Sequence, residues 1–485
     1  MINKKLDFST APEFIQQFEN DHFEELKQFK FHNWPLWQIV KVPLFYRLLQ
    51  NDEPVKVTSG TQRMQSKIVN AWIESINFLK VILTGNKNRP ILCVTHSADC
   101  LSKKEGKFYN SLFDYIVSQK KQFPILHWEY SSKAKNPRYN KPHVNIYAAK
   151  SFFYRINKKQ QAIQYSAADF FIFWNKYLSQ KNVDTSLITE NFINNICTSF
   201  YQSYRFWKFS LKRTTPSKIF SSEKMGTGIL AAANELHIPF YEFQHGNIDK
   251  NYPPYVWNEG WNKVINNVKP AYLIVFGHTA EKMVLASGFF SKENVSAVGY
   301  EKMEDYRNHK PADKGYVFFA LQPMMHELNK RIVNCIKQLS EKYKVAVKYH
   351  PLQSEDEIRE YDAILMGSNV VAFDRGKNIY DCILESRIIV SHVSTVLEEA
   401  LSLGKISVTI ATENLPQGIH SMTGNSYLRD VIIPISINEL SNFVDAMHKN
   451  DLLENANESL QRFQFEIYES DYYSNILKLI KNETD

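Results

Sequence analysis

Residues Ser217 to Asn247, SKIFSSEKMGTGILAAANELHIPFYEFQHGN, set the fold class. Ser217 to Glu223 predicts a strand and the loop it delivers. Gly228 to Leu236 (GILAAANEL) predicts a helix with small packing residues, and Ile238 to Phe243 the next strand. That strand ends in Gln244-His245-Gly246-Asn247. Strand, loop, helix, strand is a βαβ unit, which implies a parallel sheet buried on both faces. Buried parallel strands read as short, near-continuous apolar runs rather than as alternation.

The same pattern extends outward. Upstream, Ile91 to Ser97 follows Pro90 as an apolar run ending in polar residues, and Asn110 to about Leu211 reads as mostly helical. Downstream, Ala271 to Gly277 and Val295 to Gly299 read as strands around a helix at Glu281 to Ala286. Residues 301–314 (EKMEDYRNHKPADK) are polar and apolar-poor, the sequence's linker candidate. A second α/β series follows: strands at Tyr316–Leu321, Val345–Pro351, Val370–Phe373, Ile388–Ser391 and Ile406–Ile410, with helices at Glu327–Tyr343 and Val396–Leu403. The expected organisation is a helical region at 1–85, a Rossmann-like domain at 86–305 and a second at 306–455. A terminal helix from about Asn457 to Lys481, in the segment 456–485, then braces the two halves across a cleft. In the first region Phe14, Phe18, Phe23, Leu26 and Phe29 recur near helical spacing, followed by Trp34-Pro35-Leu36-Trp37. This stripe fits either a cap packed on the first domain or a docking surface for a membrane or partner, and aromatic stripes at this spacing favour the cap.

Composition bounds the function. A chain of 485 residues, 44% hydrophobic and 22% charged, is globular and long enough for two or three domains. Its net charge of +7 is spread along the chain, which suits an anionic small substrate, an anionic glycan or the cytoplasmic face of a membrane. No nucleic-acid motif accompanies it, so nucleic acid is not an expected partner. Five cysteines at irregular spacings give neither a disulfide framework nor a metal site, which fits buried thiols in a reducing cytoplasm. The start, Met1-Ile2-Asn3-Lys4-Lys5, leads into no apolar signal core, and no run approaches the roughly 20 apolar residues of a spanning helix. A cytoplasmic protein, peripheral at most to the inner membrane, is expected.

Three constellations fall at predicted strand ends, where open α/β sheets place their ligands. In Gln244-His245-Gly246-Asn247, the glycine permits close backbone approach and the imidazole can donate to a phosphate or move a proton. In Lys348-Tyr349-His350-Pro351, proline stiffens the turn after the strand, and Lys348 lies on the same strand face as His350. In Ser391 to Leu401 (SHVSTVLEEAL), a strand passes through hydroxyl residues into a helix. That segment reads as a capping box, Thr395 with Glu398, and as an anion site built from Ser394, Thr395 and exposed N–H groups. Glu398 or Glu399 could also hold a ribose or sugar hydroxyl.

The Gln-His-Gly loop, the glycines of the 276–299 run, the His350-Pro351 pair and the Ser394-Thr395 loop with its Glu-rich helix resemble bacterial capsule and lipopolysaccharide glycosyltransferases of the GT-B fold. The group includes CMP-sugar-using sialyl- and Kdo-transferases and teichoic-acid-type polyol-phosphate transferases. The resemblance covers roughly residues 215–410. It implies that His350, Ser394 and Thr395 contact the donor nucleotide's phosphate, with Lys348 and Pro351 beside them and Glu398 nearby, and that His245 faces the donor sugar. It further implies a carboxylate base on the acceptor side, for which Glu223 is the candidate and Asp99 and Asp249 are rivals. The sialyltransferase acidic-glycine motif is missing from the sequence. No Asp-x-Asp pair occurs among the predicted strand ends, so no catalytic metal and no resident cofactor are expected; the nucleotide-sugar is a co-substrate. The implied reaction transfers a sugar, Kdo or another acidic one, from a CMP-sugar to a glycan or lipid-linked glycan acceptor. The alternatives are a CDP-glycerol-type polyol-phosphate transferase, a sugar-nucleotide 2-epimerase and a non-catalytic glycan-binding scaffold.

Overall fold

A computed structural model describes residues 6, 10–49, 64–84, 89–97, 102–104, 107–131, 139–157, 166–184, 186, 188–222, 225–246, 248, 251–307, 313–323, 326–392, 394–411, 432–448 and 466–481. Its core is two fully parallel sheets. The first comprises β1 (Ile91–His96), β2 (Ile125–Tyr130), β3 (Val144–Asn145), β4 (Lys218–Ser222), β5 (Phe240–Phe243), β6 (Tyr272–Val275) and β7 (Val295–Ala297). Their spatial order is β3-β2-β1-β4-β5-β6-β7. The second comprises β8 (Tyr316–Ala320), β9 (Val345–Lys348), β10 (Val371–Ala372), β11 (Ser386–Ser391), β12 (Ile406–Ala411) and β13 (Ile432–Ser436), in the order β10-β9-β8-β11-β12-β13. Both orders run outward from the first strand and then reverse, which is the doubly wound Rossmann pattern. The switch points lie between β1 and β4, and between β8 and β11.

The apolar runs became strands where expected. β4 and β9 are buried at every residue, as strands covered on both faces must be. Two readings needed correction. The 110–211 region is not simply helical, because β2 and β3 lie within it. β2 carries His127 and Glu129 at buried positions, and Thr95 Oγ1 sits 2.9 Å from His127 Nε2. Those polar residues broke the apolar run that would have announced a strand. The linker candidate begins with a helix, Glu301–Arg307, because Met303 is buried and Tyr306 stacks on Tyr380 at 4.8 Å.

The N-terminal aromatics form a packed cap. Phe18 and Trp37 are fully buried, and Phe18 meets Trp174 edge-on at 4.5 Å. A buried ion pair inside this cap, Lys41 and Glu19 at 2.5 Å, anchors it to the first sheet's domain through its further hydrogen bonds. Lys41 also donates to the Val256 carbonyl (2.6 Å), while Glu19 accepts from Trp261 Nε1 (2.6 Å) and the Asn258 amide (3.0 Å). Burial lowers the Lys41 pKa and Glu19 opposes that shift, so the pair persists because its remaining hydrogen bonds are satisfied.

The chain then returns from the second sheet to the first. Residues 466–470 cross the ends of β6 and β7, and the helix Tyr472–Lys481 packs on the first sheet, with Tyr472, Ile476 and Ile480 buried among Ile91, Phe220 and Ile274. Gly277 and Gly299 make room for the crossing. A Cβ at Gly277 would lie 2.3 Å from the Ile467 carbonyl oxygen; at Gly299, where φ is +89°, it would lie 2.5 Å from that of Glu469. The crossing is closed by ring contacts, Phe276 tilted against Tyr300 at 4.8 Å and stacked on Tyr468 at 5.5 Å. Arg307 Nη1 adds a hydrogen bond to the Glu469 carbonyl at 3.3 Å.

Gly277→Ala should therefore destabilise the protein by about 1–3 kcal/mol, since the clash is with backbone that cannot rotate away. Urea unfolding measures this, and limited proteolysis should show earlier cleavage within 466–481. An unchanged midpoint would mean the crossing is not packed as described.

Candidate functional site

The second switch point is built from the ends of β8, β9 and β11. Ser391 Oγ donates to the Ala320 carbonyl at 2.6 Å, tying β11 to β8 where the strands end. Just beyond, Gln322 Nε2 donates to Ser394 Oγ at 3.0 Å, bridging the two loops across the switch point. Ser394 Oγ also accepts from the Val396 amide at 3.3 Å. Thr395 is exposed, has helical backbone angles and makes no side-chain cap, so the expected Thr395–Glu398 capping box does not form. Serine, one residue earlier, takes part of that task.

His350 follows β9 and is half-buried. Its backbone amide donates to Gln353 Oε1 (2.6 Å), and its Nδ1 accepts from the Leu352 amide (3.1 Å). An accepting Nδ1 leaves the proton of the neutral ring on Nε2. Burial lowers the His350 pKa, which favours that neutral form. The exposed Pro351 places its carbonyl 3.2 Å from Arg375 Nη2. Lys348 is buried and donates to the carbonyls of Asp374 (2.7 Å) and Arg375 (3.2 Å), so its ammonium holds the loop after β10.

Glu398 is 1% exposed, on the helix Val396–Ser402. It belongs to an acidic and phenolic cluster near the crossing segment: Tyr380 donates to Glu399 Oε1 at 2.8 Å, and Tyr468 feels both carboxylates. Burial raises the Glu399 pKa and pushes both phenols well above their ordinary range. The helix behind the Ser394 loop thus touches the segment that crosses to the first sheet.

At the first sheet, His245 follows β5 and is half-buried. Gln244 fixes this loop, donating to the Gly246 carbonyl (2.8 Å) and accepting from the Phe276 amide (2.8 Å). Glu223, Asp99 and Asp249 lie outside the described residues. Among those described, no group of three or more His, Cys, Asp or Glu side chains could hold a metal ion. Cys93, Cys197, Cys335 and Cys382 are free thiols.

Two residues at the second switch point were not singled out from the sequence. Gln322 could have been found as the first polar side chain after the run Tyr316–Leu321. His392 ends the run Ile388–Ser391, is 0% exposed, and neither ring nitrogen has a hydrogen-bond partner among the described residues.

No family model and no curated protein matches the chain. Several solved structures do. UDP-GlcNAc 2-epimerase from Neisseria meningitidis is similar at 12% identity and a TM-score of 0.48, over 81% of this chain and 100% of that one. MurG from Acinetobacter baumannii is similar at 11% and 0.44, over 81% and 99%. The wall teichoic acid polymerase TagF is similar at 13% and 0.44, over 86% and 94%. These likenesses concern overall form and carry nothing about the reaction.

Burial pushes the His392 pKa down from 6.5 to about 4. An unfolded histidine gains its proton near 6.5 and the folded one only near 4, so the unfolded chain holds more protons between those values. Stability is therefore lost as pH falls through that window, by about 3 kcal/mol at most from this group. Denaturant titrations at pH 7 and pH 4.5 should show a smaller loss in His392→Phe than in wild type. Equal losses would mean that His392 is not buried in neutral form.

Proposed function

We propose that the protein is a glycosyltransferase that takes its sugar from a nucleotide-activated donor, a CMP-sugar in the reading the resemblance favours, and passes it to a surface-polysaccharide or lipopolysaccharide acceptor. The observation that carries this reading is the Gln322–Ser394 bridge across the second switch point, with His350 beside it at the end of β9. Open α/β sheets take their ligands at this place, and a phosphate is recognised by neutral donors of this kind.

In this reading the donor's phosphate sits against Ser394, Thr395 and His350, whose Nε2–H donates to the oxygen on which charge develops as the sugar leaves. Lys348 acts behind them by holding the loop after β10, and Pro351 fixes the turn. His245 lies on the acceptor side, near the donor sugar, and Glu223 serves as the base that takes the acceptor's hydroxyl proton. Glu398 sets the helix behind the phosphate loop. Peripheral attachment to a membrane is part of the proposal. Trp72, Leu79 and Leu83 are exposed on one face of the helix Met64–Leu83, a surface suited to the bilayer interface. No helix among the described residues is long and apolar enough to cross a membrane. A polyol-phosphate transferase would use the same loops, with a CDP-linked donor.

A calorimetric panel of CMP, CDP, UDP and GDP tests the reading. One cytidine or uridine nucleotide should bind, and His350→Ala should weaken it by about tenfold or more, the typical cost of losing a hydrogen bond to a charged group. CMP supports the CMP-sugar donor, CDP the polyol-phosphate reading and UDP a UDP-sugar donor or the epimerase. Binding of none of them by the folded protein sinks the transferase proposal in favour of a scaffold.

A further inference from the structure

The first sheet carries a cavity of its own. It measures about 190 Å³ and is lined by Tyr130, Ile146, Lys150, Trp207 and Met225. Tyr130 is the last residue of β2, and Met225 lies three residues beyond the end of β4. The cavity therefore opens at the carboxyl ends of strands that flank β1 on either side, next to the first switch point. It is smaller than the roughly 300 Å³ at which pockets for drug-sized ligands begin, so it suits one sugar or alditol unit rather than a nucleotide.

Its walls are of two kinds. Trp207 is buried and stacked on Trp128 at 6.1 Å; Tyr130 is stacked on His96 at 5.3 Å and meets Tyr147 edge-on at 5.7 Å. Rings held in this way give fixed faces for the carbon skeleton of a sugar or polyol. The opposite character comes from Lys150, on the helix Ile146–Ile156. That helix is firmly placed. The Asn145 side chain accepts from the Ala148 amide (3.3 Å) and donates to the Ser131 carbonyl (3.0 Å), and its backbone amide donates to Asn77 Oδ1 (2.8 Å). Lys150 Nζ lies 5.6 Å from the centre of the Tyr154 ring. No carboxylate pairs with it among the described residues, and burial lowers its pKa to about 8. A half-buried ammonium that no carboxylate among the described residues pairs with carries a desolvation cost that an incoming anion would offset.

We infer that this cavity is a subsite for an anionic acceptor unit, in which Lys150 pairs with a phosphate or carboxylate while Trp207 and Tyr130 pack against the attached sugar or alditol. The inference rests on the transferase reading for the word acceptor, and on the cavity alone for the anion. It places the acceptor's charged unit on the first sheet, apart from the donor loops of the second.

Ligand-observed NMR on the full chain tests it, with glycerol 3-phosphate and glucuronate as probes and glycerol as the neutral control. At least one anion should bind and glycerol should not. Lys150→Gln should weaken the anion tenfold or more, Lys150→Arg should restore most of the binding, and nucleotide binding should be the same in all three proteins. Preference for glycerol 3-phosphate identifies a phosphorylated acceptor, and preference for glucuronate a carboxylated one. Failure of both anions to bind folded wild type, or equal binding by Lys150→Gln, overturns the subsite. Anion binding that depends on Lys150 in a protein that binds no nucleotide would keep the subsite and remove only the transferase reading.

Discussion

The return of the chain from the second sheet to the first depends on the close approach of one backbone to another at Gly277 and Gly299. The segment 466–470 passes over the ends of β6 and β7 at distances no side chain would tolerate, with carbonyl oxygens 2.3 and 2.5 Å from where a Cβ would stand. Because the backbone can come that near, Tyr468 reaches Phe276 and the helix Tyr472–Lys481 lies down on the first sheet. The second sheet is thereby tied to the first by its own C-terminal chain as well as by the helix Glu301–Arg307.

The same crossing reaches the candidate donor loops. Tyr468 lies beside Glu398 and Glu399, on the helix that begins just after Ser394. The crossing segment and the base of that helix thus meet through Tyr468 and the two carboxylates. In the proposed transferase, with the donor on one sheet and the acceptor on the other, such a link would hold both substrates in place together before transfer.

Much of this was legible in the sequence, for a physical reason. Strands buried on both faces leave an apolar run that needs no tertiary knowledge to read, as Tyr316–Leu321 and Ile406–Ile410 show. β2 was lost because it buries His127, whose Nε2 lies 2.9 Å from Thr95 Oγ1, and Glu129, which a linear pattern cannot foresee. At the site, His350 and Ser394 stood out because they follow apolar strands at a Pro and a hydroxyl-rich turn. Gln322 gains its meaning only from Ser394, 72 positions away. Lys150 was illegible for the same reason: on its helix it is one polar residue among several, and only the cavity with Trp207 and Tyr130 distinguishes it. The Thr395 cap, plausible from spacing, failed because Thr395 entered the helix in αR conformation and left the hydroxyl contact to Ser394.

The central claim is that the nucleotide binds at the carboxyl ends of β8, β9 and β11. A crystal structure grown with CMP or UDP tests it most directly. The expected result is a phosphate within about 2.7–3.2 Å of the Ser394 hydroxyl or of His350 Nε2. A nucleotide seated on the first sheet, with the Gln322–Ser394 bridge undisturbed, would contradict it.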